Sequence, residues 1–392
     1  MIPRGKLYIS NKDLLTGILY CFTSYFKSER ADSRQKKSNI ITCLSVRTGF
    51  DLILSSLNLP AGSEILVTDI NIPDMFKIIA AHKLIAVPLP VNKHTLNISP
   101  AHLESAITPS TKAVLITHLF GAIMETNEIN NIAKKHNLFV FEDCAQAYAG
   151  NLYEGNPTTD AIMFSFGLIK TNTAVSGAML NIKDNDLYTD ASIRNQQYEK
   201  QRISIFTNKL FKVLLIKLLT YKSIYTGFYN LIKVMNKDFD EVLSNFTKGF
   251  TGDDILKKIR YRPCLPNKKL LQKKLNDFNQ QNITARILFA NDILQHIPQN
   301  YKIGILNKKH THWVLPIETQ DPNSLINYLR TNGFDASQKA SSLIKQGEPK
   351  FTPNIEDLTL EKLIYLPMDI SMSTKNRNKL IQLLVSFDRG IR

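Results

Sequence analysis

The side chains that could carry chemistry lie in three short polar segments, each beside an apolar stretch. An apolar, strand-like pattern ends in the acids Glu142-Asp143, and Lys170 follows Asp143 by 27 residues. Upstream, a polar turn at 45–47 precedes an apolar, helix-like segment. Carboxylate, amine and hydroxyl groups can hold an ionic ligand and carry protons when a fold brings them together.

An alternating pattern of strand-like and helix-like segments is suited to position these residues. Short apolar runs bounded by turn residues predict strands at 65–67, 86–89, 113–117, 138–142 and 161–166. Helix-like segments lie between them, at 50–57, 75–82, 100–106 and 126–136. This alternation predicts an α/β fold with a mostly parallel sheet. Ligands bind such sheets at the carboxyl ends of the strands, where His118, Asp143 and the segment after Phe166 are expected.

Longer motifs around these residues resemble those of the DegT-type nucleotide-sugar aminotransferases, which are fold type I enzymes that use pyridoxal phosphate. The motifs are the turn at 45–47, a Glu-Asp-x-Ala-Gln-Ala segment from Glu142, a Ser-Phe-x-x-x-Lys segment ending at Lys170, and Arg194-Asn195. Ordered similarity extends over roughly 40–385 and is weakest at 200–260. The resemblance implies a large domain with a mostly parallel sheet at 1–255, a basic helical insertion at 200–250, and a smaller C-terminal α+β domain at 256–392.

The resemblance also implies roles for individual residues. Lys170 would bond covalently to pyridoxal phosphate and then move protons, and Asp143 would pair with the pyridine nitrogen. Gln146 would hydrogen-bond the phenolic oxygen of the cofactor. The cofactor phosphate would be held by the segment Ser45, Val46 and Arg47 and by Ser165. Asn195 from the second subunit of a homodimer would also contact this phosphate.

Four of these residues also have a structural interpretation. The alternatives are a solvated surface position for Lys170, a helix cap for Asp143, a helix-surface amide for Gln146 and a turn for Asn195. Two departures from the family pattern affect the cofactor: Val46 replaces a glycine, and Ile72 falls where an aromatic ring usually stacks on the cofactor. His118 is expected to be a structural histidine.

The function implied by the resemblance is transamination. Relatives that dehydrate sugars carry His in place of the lysine, and this chain carries Lys170. Glutamate is the expected amino donor, and the expected acceptor is a keto-sugar, which in this family is usually nucleotide-linked. The expected pathway is amino-sugar and surface polysaccharide biosynthesis. Two alternatives stay open: a pyridoxal phosphate enzyme with a non-sugar substrate, and a non-catalytic, membrane-associated relative of the same fold.

The charge of the chain indicates an anionic partner. Lys and Arg total 49 against 34 Asp and Glu, a formal net charge of +15. From Lys200 to Lys237 there are eight basic residues and no acidic one. Two interpretations of this segment stay open: solvated helices packed on the core, or weak peripheral contact with an anionic membrane. Nucleic acid is not expected as a partner, because the sequence has no zinc-finger, RNP or basic-zipper signature.

The expected location is the cytoplasm, with peripheral attachment at the inner face of the membrane if the second interpretation holds. The four cysteines are widely spaced and form neither a disulfide framework nor a metal-ligand motif, so no metal is expected. No apolar run reaches the roughly 18 residues that a membrane span needs.

Overall fold

The fold is described by a computed structural model, which covers residues 1–25, 39–247, 254–339, 342–347 and 356–390. The strands are β1 (Ile40–Cys43), β2 (Glu64–Thr68), β3 (Ile70–Asn71), β4 (Ile85–Leu89), β5 (Thr111–Thr117), β6 (Phe139–Asp143), β7 (Ala161–Ser165), β8 (Ala178–Ile182), β9 (Glu199–Lys200), β10 (Tyr261–Arg262), β11 (Leu315–Glu318), β12 (Ile344–Lys345) and β13 (Leu363–Leu366).

The helices are α1 (Asn11–Tyr25), α2 (Val46–Leu57), α3 (Pro73–Ala81), α4 (Pro100–Ala106), α5 (Asn127–Lys135), α6 (Asn185–Gln197), α7 (Ile203–Leu219), α8 (Lys222–Val234), α9 (Phe239–Thr247), α10 (Ile255–Ile259), α11 (Leu265–Asn276), α12 (Gln281–His296), α13 (Pro322–Thr331) and α14 (Thr374–Asp388).

A central sheet in the order β1-β8-β7-β6-β5-β2-β4 organises the fold. Strand β8 runs antiparallel to both of its neighbours, and the other pairings in this sheet are parallel. The predicted α/β class with a mostly parallel sheet is therefore confirmed. The carboxyl ends of β1, β5, β6 and β7 lie at one edge of the sheet, and this edge brings the three polar segments together.

The five strands predicted from apolar runs correspond to β2, β4, β5, β6 and β7, and the predicted helices to α2 to α5. Their residues alternate between two cores because both faces of a parallel sheet are covered. Ile65 and Val67 pack on the side of α2 and α3, whereas Leu66 packs with α4 and α5. Strands β1 and β8 were not predicted, because their antiparallel pairing lies outside the βαβ pattern.

The C-terminal part of the chain has its own apolar cluster, in which α12, α13 and α14 surround β11 and β13. Ile2 joins this cluster from the N-terminus. By contrast, Ile259 and Leu270 belong to clusters on the sheet side. The division into domains at 1–255 and 256–392 stays a prediction.

The basic segment folds into α7, α8 and α9. One side of α7 is buried through Phe206, Leu210 and Val213, and it packs against α1 and α11. The opposite side exposes Phe211, Leu215 and Leu218 to solvent. Among the described residues, no helix is both long enough and apolar enough to cross a membrane.

Candidate active site

A cavity of about 290 Å³ opens at the carboxyl ends of the sheet strands. It brings together every residue that the sequence predicted for the site, with the exception of Asn195. These lining residues are Ser45, Val46, Arg47, Asp143, Gln146, Ser165 and Lys170. The predicted residues in this cavity are separated by up to 125 positions in the chain, from Ser45 to Lys170.

Asp143 is the last residue of β6 and is 3% exposed. Its place is fixed by pairing with Thr117 of β5 on one side and with Met163 of β7 on the other. One carboxylate oxygen, Oδ1, accepts a hydrogen bond of 2.9 Å from the backbone N–H of Ala145. Burial raises the pKa of the Asp143 carboxyl, although that N–H and the charge of Lys170 oppose the shift. A buried carboxylate of this kind favours a cationic partner in the cavity.

Lys170 lies in a turn after β7, where its backbone N–H donates to the carbonyl of Gly167 at 3.0 Å. Its Nζ lies 4.4 Å from the ring centroid of Trp313, in cation–π range. Burial lowers the pKa of the Lys170 ammonium to about 8; the nearby Asp143 carboxylate raises it, and Arg47 lowers it further. A substantial fraction of the amine is therefore neutral near physiological pH, as a nucleophile or a proton carrier requires.

A buried arginine from the C-terminal half supports the Lys170 turn. Arg286, on α12, is 1% exposed. Its Nε donates to the carbonyl of Thr311 at 2.7 Å, and its Nη1 donates to Oγ1 of Thr171 at 3.1 Å. The indole N–H of Trp313 in turn donates to the carbonyl of Ile169 at 3.0 Å. Both residues flanking Lys170 are thus tied to the segment that carries Trp313.

The turn at 45–47 forms the beginning of α2. Ser45 is the N-cap, because its Oγ accepts a hydrogen bond of 3.2 Å from the backbone N–H of Thr48. Val46 is the first helical residue, and its backbone is not in the left-handed conformation. The backbone conformation of this turn therefore does not require the glycine of the family pattern. The guanidinium of Arg47 forms an ion pair with Asp74 of α3.

Gln146 and Ser165 present polar groups to the same cavity. The Oε1 of Gln146 accepts the backbone N–H of Phe120 at 2.8 Å, which leaves the amide NH₂ as the group that can donate to a ligand. The Ser165 hydroxyl has a long contact of 3.5 Å with the backbone N–H of Gly167. Ile72, the residue at the expected stacking position, also lines the cavity.

Asn195 is the predicted residue that lies elsewhere. It is on α6 and does not line the cavity of its own chain. Its Nδ2 is 3.5 Å from the carbonyl of Thr42, and its Oδ1 is buried with no hydrogen-bond partner in the described part of the chain. Contact between Asn195 and the site of a second subunit stays a prediction.

His118 is a structural histidine in this fold. Its Nδ1 accepts the backbone N–H of Met124 at 3.0 Å, so the ring proton is on Nε2, which contacts Oε1 of Glu142 at 2.9 Å. Burial opposes ionisation of Glu142, but hydrogen bonds from His118, Tyr153 and the Asn156 backbone hold its pKa at about 2. This network fixes the strand end next to Asp143.

Several polar or aromatic residues that line the cavity were not predicted. Trp313 and Ser176 come from loops, and Lys209 and Lys212 come from the basic helix α7. The sequence marked these lysines only as part of a charged segment. Their place in the cavity depends on how α7 packs against α1 and α11, a long-range arrangement that no local pattern specifies.

Comparison with known proteins shows the fold and a similarity to one enzyme family. A solved sugar aminotransferase, CalS13 from Micromonospora echinospora, superimposes with a TM-score of 0.66 at 16% identity, over 98% of this chain and 100% of that chain. NtdA from Bacillus subtilis, solved with bound cofactor PMP, has a TM-score of 0.63 at 18% identity, over 96% and 82% of the two chains.

A curated relative is similar in sequence over a shorter stretch. The dTDP-3-amino-3,6-dideoxy-alpha-D-galactopyranose transaminase of Aneurinibacillus thermoaerophilus is 35% identical over 161 residues, which are 36% of this chain and 44% of that protein. The chain thus spans less than half the length of this curated relative.

The fold is that of the pyridoxal phosphate-dependent transferases of fold type I, as the sequence predicted. Within that class, residues 22–211 match the model of the DegT/DnrJ/EryC1/StrS aminotransferase family. This match confirms the resemblance found in the sequence.

Proposed function

We propose that this protein is a pyridoxal phosphate-dependent aminotransferase that transfers an amino group, from glutamate, to a nucleotide-linked keto-sugar in amino-sugar and surface polysaccharide biosynthesis. The observation that carries the proposal is the meeting of Lys170 and Asp143 in one cavity at the carboxyl edge of the sheet. The family match over residues 22–211 and the similarity to the Aneurinibacillus transaminase of a dTDP-linked sugar support it.

The residues of the cavity fit the cofactor. The buried Asp143 carboxylate suits a protonated ring nitrogen, and the free amide NH₂ of Gln146 suits a phenolate oxygen. The hydroxyls of Ser45 and Ser165 suit a phosphate at the beginning of α2, where the helix dipole favours an anion. When bound, pyridoxal phosphate supplies an electron sink that stabilises negative charge at the reacting carbon of the substrate.

Lys170 is proposed to perform two tasks. Its Nζ would hold the cofactor covalently before the substrate arrives, and it would then act as the base and acid of the reaction. As a neutral amine it accepts the proton from Cα of the amino donor, and as an ammonium it returns a proton during amination of the acceptor. A pKa of about 8 suits both directions, because the two forms are then present in comparable amounts.

Optical spectroscopy tests the cofactor and the lysine together. We expect the purified protein, supplied with pyridoxal phosphate, to develop a visible absorption band and to become covalently labelled on borohydride reduction. Lys170→Ala should abolish the label, whereas Lys183→Ala, which removes an exposed lysine just after β8, should leave it intact. A wild-type protein that gains neither band nor label would overturn the proposal and favour a non-catalytic relative.

The substrate is tested by screening. Keto-sugar nucleotides are offered with glutamate, and 2-oxoglutarate formation is followed. Turnover with a keto-sugar nucleotide would support the proposed acceptor. Turnover confined to non-sugar ketones would support aminotransferase activity and contradict the proposed sugar acceptor.

We also propose a homodimer in which Asn195 contacts the cofactor phosphate of the second subunit. The proposal rests on the family resemblance, and the buried, unpartnered Oδ1 of Asn195 is compatible with it. Light scattering should give twice the chain mass of 44.5 kDa. A monomer that retains full cofactor affinity would contradict it, as would an Asn195→Ala variant that binds the cofactor as wild type does.

Peripheral contact with an anionic membrane, at the inner face for a cytoplasmic enzyme, is a further part of the proposal. The solvent-facing stripe of Phe211, Leu215 and Leu218 on α7 supports it, and α8 adds exposed apolar residues such as Leu231 and Val234. Exposed basic residues flank this surface; they are Lys200, Arg202, Lys222, Lys233 and Lys237. An apolar strip beside cations is typical of helices that lie in a membrane interface.

Vesicle flotation tests this surface. The triple variant Phe211→Ser, Leu215→Ser and Leu218→Ser should no longer bind vesicles of phosphatidylglycerol. The control variant Leu288→Ser with Leu306→Ser should still bind them, although its two leucines are at least as exposed as the three residues of the stripe. If the triple variant instead lowers the molar mass in solution, the surface is a subunit interface. Equal flotation of all three proteins would end the membrane proposal.

A further inference from the structure

One face of α7 forms a wall of the candidate active site. Lys209, Lys212 and Val213 line the same cavity as Lys170, and their spacing of three and four residues places them on one side of the helix. Farther along this helix, Ile216 and Leu219 line an adjoining apolar cavity. Ile169 and Trp313 line both cavities and so separate them.

Neither of these two lysines has an acidic partner among the residues that the structure describes. No carboxylate of the described chain lies within 4.0 Å of the Nζ of Lys209 or Lys212 in an ion pair, whereas Lys273 and Lys274 both pair with Asp13 close by. Lys217, on the same helix, donates to the carbonyl of Ile9. Burial lowers the pKa of Lys209, and the neighbouring charge of Lys212 adds to that shift. A partly buried cation without a counter-ion is costly unless a ligand supplies the charge.

The charge balance of the cavity indicates what that ligand carries. The charged lining residues are Arg47, Lys170, Lys209 and Lys212 against Asp143. Arg47 is paired with Asp74, and Asp143 offsets the charge of Lys170. Two positive charges remain on α7 when the cofactor phosphate, which the proposed function assigns to the beginning of α2, is not counted. A diphosphate bridge, with one negative charge on each phosphate, matches this excess, and side chains three residues apart on a helix can each contact one phosphate.

We propose that Lys209 and Lys212 bind the diphosphate of the amino acceptor, so that α7 selects nucleotide-linked substrates. The inference rests on the proposed function and adds to it a binding element outside the sheet edge. It assigns the two lysines no part in proton transfer. It also gives the basic segment a role inside the site, apart from any contact of its outer surface.

Isothermal titration calorimetry of the holoenzyme with dTDP, GDP and inorganic pyrophosphate tests the assignment. Lys209→Gln with Lys212→Gln should weaken binding of both nucleotides about tenfold per lysine, since a charge-assisted contact is lost at each position. Lys209→Arg with Lys212→Arg should restore most of the affinity. The matched control, Lys233→Gln with Lys237→Gln, removes the same charge from exposed positions on and after α8 and should bind as wild type does.

Binding of nucleotide is separable from the proposed activity, because the visible cofactor band reports the aminotransferase site independently. Unchanged nucleotide affinity in a folded double Gln variant would overturn the inference. So would weaker retention of pyridoxal phosphate with unchanged nucleotide binding, which would assign the lysines to the cofactor phosphate. A raised KM for glutamate alone would assign them to the donor carboxylates and would also overturn it.

Discussion

Two regions of the molecule surround the same cavity but are built differently. The sheet-edge region, residues 39–182, supplies Asp143 and Lys170 from strand ends and short turns. The α7–α9 region, residues 203–247, supplies lysines from the side of a helix that packs across the opening. Strand pairing sets most of the geometry of the first region, although Arg286 and Trp313 also hold the Lys170 turn. The second region depends on packing against α1 and α11. Under the proposed function, reaction chemistry and substrate choice would therefore depend on different parts of the chain.

The largest expected difference concerns Asp143. Asp143→Asn should lower kcat about a hundred- to thousandfold, because the neutral amide cannot stabilise a protonated ring nitrogen. The double Gln variant of the α7 lysines should instead mainly raise the KM of the acceptor. Steady-state kinetics with a keto-sugar nucleotide measures both. If Asp143→Asn changed only KM, the division between chemistry and substrate choice would fail.

The second prediction concerns how firmly α7 belongs to the core. Leu210 is fully buried on the core-facing side of α7, so Leu210→Ala should lower the free energy of unfolding by about 2 to 5 kcal/mol. Leu215→Ala, on the exposed side of the same helix, should change it by less than about 0.5 kcal/mol. Urea denaturation provides the measurement. Equal effects would mean that α7 is not docked as described.

The third prediction uses the pKa of Lys170. In cofactor-free protein, the rate of covalent capture of pyridoxal phosphate depends on the neutral amine. It should therefore rise about tenfold per pH unit below pH 8 and level off above it, because the pKa is lowered to about 8 from the usual 10.5. Stopped-flow absorbance measures this profile, with Lys170→Ala as the blank. A rate still rising at pH 10 would indicate an exposed, ordinary lysine.

The smallest effect is expected at Gln146. Gln146→Glu keeps an oxygen to accept the Phe120 N–H but replaces the NH₂ donor. Cofactor affinity should fall by about tenfold or less, the loss typical of a single hydrogen bond. Fluorescence titration of the cofactor measures this loss, and a shift of the visible band should accompany it. An unchanged band would mean that the amide does not contact the ring oxygen.

The sequence predicted the sheet-edge region well for physical reasons. Each βαβ unit buries both faces of its strand, so apolar runs and helix signals mark β2, β4, β5, β6 and β7 directly. Parallel strands also share one carboxyl edge, and this geometry places Asp143 near Lys170 without knowledge of other contacts. The roles of these residues came from the family resemblance.

The remainder could not be predicted because it depends on distant contacts. The side of α7 that faces the cavity is set by Phe206 and Leu210, which pack against helices far away in the chain. Trp313 reaches Lys170 through a loop held by Arg286, and no periodic pattern indicates such a contact. Asn195 illustrates the opposite case, since its motif is visible in the sequence while its proposed contact requires a second chain.

Trp313 gives the cavity an optical property of its own. It is the single tryptophan of the chain, and its ring lies 4.4 Å from the amine of Lys170. Any chromophore attached to that amine would accept excitation energy from the indole at very short range. The tryptophan fluorescence of the protein should therefore fall when such a chromophore occupies the cavity and rise when the cavity is empty. No other indole contributes to this signal.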